Sequence, residues 1–295
     1  MARYVLQDLV STTGDLAVLP ATVVRLLDLL KDQTCAADKV VQVLDQDGAM
    51  TANLLKLSNS AFYGVRGTVA TTRQALVLLG NRAVLTLAFA TGMVPVMRRH
   101  LVGYGIDRDR YWQHSLTSAM AAGVAMARLG EPARSCEAFT AGLVHDIGML
   151  ALDMHLATNS MKLEPAFPLF NVSEREEQAL GFNHCEAGAL LAENWGLPAP
   201  LAAAIAYHHR PWDTPREEDL VAAVMTGDMV AQMASDHLQP DAWPEQFEYL
   251  ARRGLGPDYL RELVESVTQA PEETLARATR PAGLPCPPSI PVSSS

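Results

Sequence analysis

The sequence predicts an all-α fold, and three observations carry that expectation. Ala, Leu, Met, Glu and Gln recur along nearly the whole chain, and these are strong helix formers. No stretch sustains the apolar/polar alternation of a half-buried strand. Helix start and stop signals recur often enough for about a dozen helices and no sheet.

In chain order, Pro20 fits the first turn of a helix through VVRLLDLL, because its fixed φ suits that position. Gly80, Gly130 and Gly254 stand where helices would stop. Residues 100–109 hold two glycines and several charges, marking a joint between residues 1–105 and a second helical part, 106–270. Ser173 with Glu176, Asn183 with Glu186, and Thr214 with Glu217 have capping-box spacing, with Pro215 just after its cap. From about residue 271 the chain is rich in Pro and Ser, so residues 271–295 are expected to be a disordered tail.

Composition narrows the function. The chain has 295 residues, 49% of them hydrophobic, too many for a disordered protein and enough to bury a core without staples. Its four cysteines, Cys35, Cys136, Cys185 and Cys286, show no C-x-x-C spacing, so ribbon and thioredoxin-like readings lack support. A net charge of −10 repels phosphate backbones and argues against a nucleic-acid polymer as partner. The longest apolar stretch, residues 83–97, is broken by Thr86, Thr91, Gly92 and Pro95 and is too short to span a bilayer. No signal peptide is visible at the N-terminus. The expectation is a soluble cytoplasmic protein.

The histidines carry the chemistry. His114 lies in a helix of small apolar residues, and His145 and Asp146 stand together in AFTAGLVHDIGMLAL, read as one apolar helix. His184 opens a helix and His208 and His209 end one. Asp228 shares a helix face with Val221, Val224, Met225 and Gln232. A carboxylate on such a face costs several kcal/mol unless it is paired, and Gly227 beside it weakens the helix further. A bound cation compensates both. Gly142 and Gly148 would let neighbouring helices approach the His145–Asp146 pair. Five imidazoles and two carboxylates suit divalent Fe, Mn, Zn, Ni or Co rather than Ca or Mg, with Fe, Mn or Zn preferred. Seven donors exceed the needs of one tetrahedral ion and could hold two, bridged most simply by Asp146. His100, His155 and His237 have ordinary contexts and read as bystanders.

With these residues in place, the chain resembles the HD superfamily of metal-dependent phosphohydrolases, and more specifically the HDOD domain. The resemblance runs from Leu16 to Pro211, through LAVLPATVVRLLDLL, VVQVLDQDGAMTANLLKLSNSAFYG, TTRQALVLLG, YWQHS, AFTAGLVHDIGML, HCEAGALLAENWGLP and AIAYHHRP. It implies an N-terminal helical subdomain packed on an HD-like helical core, and a regulatory role in bacterial signal transduction. A protein partner is the expected ligand, with a nucleotide or cyclic dinucleotide as the small-molecule alternative. Many HDOD domains have lost catalytic ligands, whereas all seven candidate positions here hold ligand-competent residues. In that respect the chain resembles the HD-GYP branch, which hydrolyses cyclic di-GMP. It departs from that branch at Met149, where a lysine follows the glycine, and at RPWDTPREED, where a Gly-Tyr-Pro loop follows the histidine pair. Asp47-Gly48 replaces the usual Asp-Pro, which affects a turn only.

Two readings follow: a regulatory module with a metal site in its core, and a metal-dependent phosphohydrolase. Asn59, Ser60 and Tyr63 read as a helix-stop turn, and Trp112 and Trp195 as core. Glu137 and the acidic run Glu217, Glu218 and Asp219 read as residues favourable to helix N-termini, and Glu186 as half of its capping box. No catalytic residue is assigned.

Overall fold

A computed structural model describes residues 6, 19–32, 35–59, 68–163, 171–236, 238 and 242–269. The expected tail 271–295, Ser60, Tyr63 and His237 lie outside the described residues. Among those described, every regular element is helical, apart from an isolated antiparallel bridge between Leu101 and Ile106. The first helices are α1 (Ala21–Lys31), α2 (Ala37–Asp45), α3 (Gly48–Ser58), α4 (Thr72–Leu79) and α5 (Asn81–Met97). α5 is the axis of this part, buried along nearly its whole length, and α1, α3 and α4 pack around it. Pro20 caps α1 from just outside rather than entering its first turn. Asp47 caps α3 by accepting from Met50 N. Asn59 ends α3 and bonds both N–H and C=O of Val69.

The chain turns through the Leu101–Ile106 bridge into α6 (Arg108–Arg128), α7 (Ser135–Val144), α8 (Ile147–Thr158), α9 (Val172–Leu180), α10 (His184–Trp195), α11 (Ala199–Tyr207), α12 (Glu218–Asp236), α13 (Pro244–Ala251) and α14 (Pro257–Gln269). α6 is clamped between α7 and α12, while α8 packs on α10 and α10 on α11. α5 packs on α7, and one apolar cluster runs through both halves of the chain.

Three glycine contacts set the helix spacing around the centre. A Cβ on Gly227 would lie 2.3 Å from the Ser118 carbonyl oxygen, and one on Gly142 would lie 2.9 Å from the same atom. α7 and α12 therefore press on one turn of α6 from two sides. A Cβ on Gly148 would lie 1.9 Å from the His184 carbonyl oxygen, so α8 and α10 meet backbone to backbone.

Three local expectations are corrected. His145 and Asp146 do not lie inside a helix: α7 ends at Val144 and α8 begins at Ile147. Successive helical side chains diverge by about 100°, so the break is what lets both point to one centre. Ser173 and Glu176 form no capping box, since Asn171 precedes α9 and Glu176 turns inward, fully buried. Thr214 and Glu217 form none either. The Thr214 hydroxyl donates to the Arg216 carbonyl, and Glu217, at φ 61°, pairs with Arg134 at 2.6 Å. Arg134 also binds Glu137, which Arg82 of α5 reaches at 3.0 Å. Glu137 is thus a buried ionic link between elements, not only a first-turn acid. The box of Asn183 and Glu186 is complete.

Candidate metal centre

All seven predicted residues converge at the meeting of α6, the α7–α8 break, the start of α10, the end of α11 and the middle of α12. Six are buried, and His209 is partly exposed. Their distances form two groups, joined through Asp146 and through His209 Nδ1, 3.7 Å from Asp228 Oδ2. In the first, His114 Nε2 lies 3.4 Å from His145 Nε2, 3.3 Å from Asp146 Oδ2 and 3.3 Å from Asp228 Oδ1. His145 Nε2 lies 3.2 Å from Asp146 Oδ2 and 3.8 Å from Asp228 Oδ1. In the second, His184 Nε2 lies 3.4 Å from His208 Nε2, 3.1 Å from His209 Nε2 and 3.3 Å from Asp146 Oδ1. His208 Nε2 lies 3.5 Å from the same Asp146 oxygen.

These separations fit metal ligation. Donors about 2.0–2.1 Å from a tetrahedral ion are about 3.3 Å apart. Each group is a cradle that could hold an ion, and Asp146 turns one oxygen to each. Ring orientation agrees. His145 Nδ1 is 2.7 Å from the Gly142 carbonyl and His208 Nδ1 is 3.0 Å from the Ile205 carbonyl. Donating Nδ1–H to these carbonyls leaves the Nε2 lone pairs aimed at the centre. Soft-to-borderline imidazoles with two carboxylates are a donor set for first-row divalent metals.

Electrostatics in the protein alone point the same way. Burial pushes the His114 imidazole down, but hydrogen-bonded Asp146 and Asp228 outweigh it and lift it to about 9. His208, pushed down by burial and lifted by Cys185 and Asp146, reaches about 10. Burial likewise lowers His184, yet Glu176 and Cys185 hold it well above its ordinary value. Asp146 and Asp228 are raised by burial but held below the usual carboxylate range by the surrounding imidazoles. His209 is lowered by burial and by its neighbours His208 and His184. Two buried carboxylates thus hold positive charge at the centre, as protons when no metal is bound.

Several residues around the cradles escaped the sequence reading. Glu176 Oε2 accepts from both His184 N, at 2.8 Å, and His184 Nδ1, at 2.7 Å, while Tyr104 donates to Glu176 Oε1 at 2.5 Å. Tyr111 donates to the Asp146 carbonyl at 3.0 Å. Cys185 Sγ lies 3.8 Å from His208 Nε2, and its thiol, raised by burial, is brought down to about 7 by the His208 and His184 charges. Gln232, seen in sequence on the Asp228 face, donates Nε2–H to Asp228 Oδ1 at 2.8 Å. His114 Nδ1 is buried and, among the described residues, has no hydrogen-bond partner. Its polar contacts, to Asp146, Asp228 and His145, are all made through Nε2. Of the bystanders, His100 is exposed and His155 contacts Asn159.

Residues 16–211 match the family model of the HDOD domain, which covers more than half of the chain. The chain belongs to the HDOD family. Among curated proteins this HDOD chain is similar to an uncharacterized protein of Treponema pallidum, 25% identical over 219 residues. That match takes in 73% of the HDOD chain but 42% of the relative, so the chain spans less than half of that protein's length. Among solved structures, an HDOD domain protein of unknown function from Geobacter sulfurreducens aligns with a TM-score of 0.64 at 24% identity, over 88% of this chain and 91% of that one. A candidate phosphohydrolase from Shewanella amazonensis aligns with a TM-score of 0.63 at 24% identity, over 92% and 96%. At these identities the likeness shows the HDOD fold.

The centre of this HDOD domain reaches the surface at His209. His209 is the most open of the seven, with its side chain 26% exposed, and it lines a groove of about 860 Å³ between α9, α11 and the start of α13. Met149 is fully buried in the core, so the position next to Gly148 presents no charge to that groove. No helix among the described residues is long and apolar enough to cross a membrane.

Proposed function

We propose that the chain is a regulatory domain of bacterial signal transduction, acting in the cytoplasm, whose core holds divalent metal at His114, His145, Asp146, His184, His208, His209 and Asp228. Its output is the binding of a protein partner rather than turnover. The observation that carries this reading is the donor count. Each cradle holds four protein donors with Asp146 shared, and sites with four protein ligands are structural, whereas catalytic zinc keeps one position for water. The division of labour follows the joint at residues 101–106. The part up to about residue 105 presents partner surface, where Val77 and Leu78 are exposed side by side on α4, and residues 106–270 house the metal.

A second reading, metal-dependent phosphohydrolase, is favoured by the completeness of the cluster and the shared carboxylate. Six-coordinate Fe or Mn at the same donors would leave positions for water, and a paired centre of that kind supplies an activated water and a clamp for a phosphoryl oxygen. The chain's own part would be to hold Asp146 between the cradles and to keep each Nε2 aimed inward. Metal analysis of untagged protein, purified without chelators, separates the readings when followed by bis-p-nitrophenyl phosphate assays after reloading with Zn, Mn or Fe. The expected result is near two zinc ions per chain, background turnover with every metal, and loss of metal in His145→Ala. Turnover with Mn or Fe that His145→Ala abolishes would establish the enzyme.

A further inference from the structure

The groove that leads to the centre has a chemistry of its own. Its walls carry five carboxylates, Glu174, Glu177, Glu186, Asp213 and Glu245, and among the described lining residues Arg210 is the one arginine or lysine. Arg210 itself stands 3.9 Å from Glu177. Deeper in, Gln232 lines the same groove and is only 2% exposed. Its Nε2 is committed to Asp228, which fixes the amide orientation, and its Oε1 has no partner among the described residues. A buried acceptor without a donor is costly, and an incoming N–H group relieves it. Three aromatic side chains, Tyr207, Trp212 and Trp243, complete the lining, and Trp212 is exposed. Aromatic faces beside carboxylates attract cations.

We propose that this groove binds an organic cation bearing N–H donors, a polyamine or the side chain of a basic peptide, with the charged nitrogen held by the rim carboxylates and an N–H directed to Gln232 Oε1. A nucleotide or cyclic dinucleotide fits poorly, because its phosphates would meet the five carboxylates before any cation other than Arg210. The inference deepens the regulatory reading by naming the ligand class at the mouth of the same centre. It rests on that reading for its signalling role, while the binding itself rests on the groove.

The test is calorimetric titration of the full chain in 150 mM salt with spermidine, with a lysine-rich decapeptide, and with cyclic di-GMP, with tryptophan fluorescence recorded in parallel. Glu174→Lys/Glu245→Lys reverses charge on exposed rim residues that are not among the seven donors, and metal content is measured on every sample. Saturable spermidine or peptide binding that weakens at least tenfold in the double variant, at unchanged metal content, supports the proposal. Spermidine alone binding assigns a free polyamine, and the peptide alone assigns a protein partner. Gln232→Met provides the second variant, removing the acceptor, and should weaken binding again. Cyclic di-GMP binding tighter than either cation, or cation binding indifferent to charge reversal, overturns the proposal. Loss of metal without loss of cation binding would count against the metal reading and leave this one standing.

Discussion

At the scale of single residues, the centre depends on groups that hold the donors. Glu176 is the clearest. It is fully buried, spans Tyr104 and His184, and keeps His184 Nε2 free by taking its Nδ1–H. Partners of this kind typically alter metal affinity 10–100-fold. Glu176→Gln preserves the shape and one acceptor oxygen while removing the charge. It is expected to weaken one of two bound ions by about tenfold or more while the cradle of His114, His145 and Asp228 keeps its own. Competition with a chromophoric chelator would show two affinities separating. Two ions lost together would refute a role confined to His184. In sequence Glu176 reads as half of a capping box and not as a partner of His184, because the two lie on different helices, joined through Gly181 at φ 80°. Only that turn folds α9 back onto the start of α10. Gln232 was within reach, being one helical turn from Asp228, and the i,i+4 spacing is what brings the two side chains together.

At the scale of elements, helix contacts rather than helix propensity place the donors. α8 and α10 touch at Gly148, where an added Cβ meets the His184 backbone. The comparable Cβ on Gly188 meets the Ile205 γ2 methyl at 2.6 Å and the Gly148 backbone nitrogen at 3.3 Å, so less of the clash falls on backbone. Gly148→Ala is therefore expected to destabilise by about 3 kcal/mol, near the upper end of overpacking costs, and to displace His184. Gly188→Ala should cost less, about 1 kcal/mol, since its nearest contact is a side chain and helix propensity offsets part of the strain. Urea unfolding of both variants would check the contrast. Equal effects would mean that the backbone at Gly148 can yield. The break between α7 and α8 teaches the same lesson. The apolar run around His145 and Asp146 reads as continuous helix, and the need for both side chains to face one point is a tertiary demand that composition does not report.

At the scale of the whole molecule, the cluster makes stability depend on pH in opposite senses with and without metal. In metal-free protein His114 and His208 stand at about 9 and about 10, against 6.5 for an ordinary histidine. A raised folded-state value means that the native state binds protons more tightly than the unfolded chain. That contribution is fully present below pH 6.5 and is lost as pH rises toward 9–10. Metal binding displaces those protons, so metal-loaded protein gains over the same window. The difference in Tm between loaded and metal-free protein should therefore widen steadily from pH 6.5 to 9. A difference that narrows or stays flat would place the metal elsewhere. Acidification should release the ions as the imidazoles take up protons.

Much of this protein was legible in the order of its residues. The all-α class follows from helix formers without alternation, and the seven donors announce themselves because histidine and aspartate are costly on apolar helices unless something compensates them. The complete capping box at Asn183 and Glu186 is local chemistry and was readable for that reason. What the tertiary structure decided is the pairing: which four donors face one another, that Asp146 reaches both sets, and that Glu176 serves His184 rather than its own helix end. It also decided that five carboxylates from four separate elements share one groove. Cost on a helix face is a property of one segment, so sequence reports it. Convergence is a property of distances between segments, and only packing sets those.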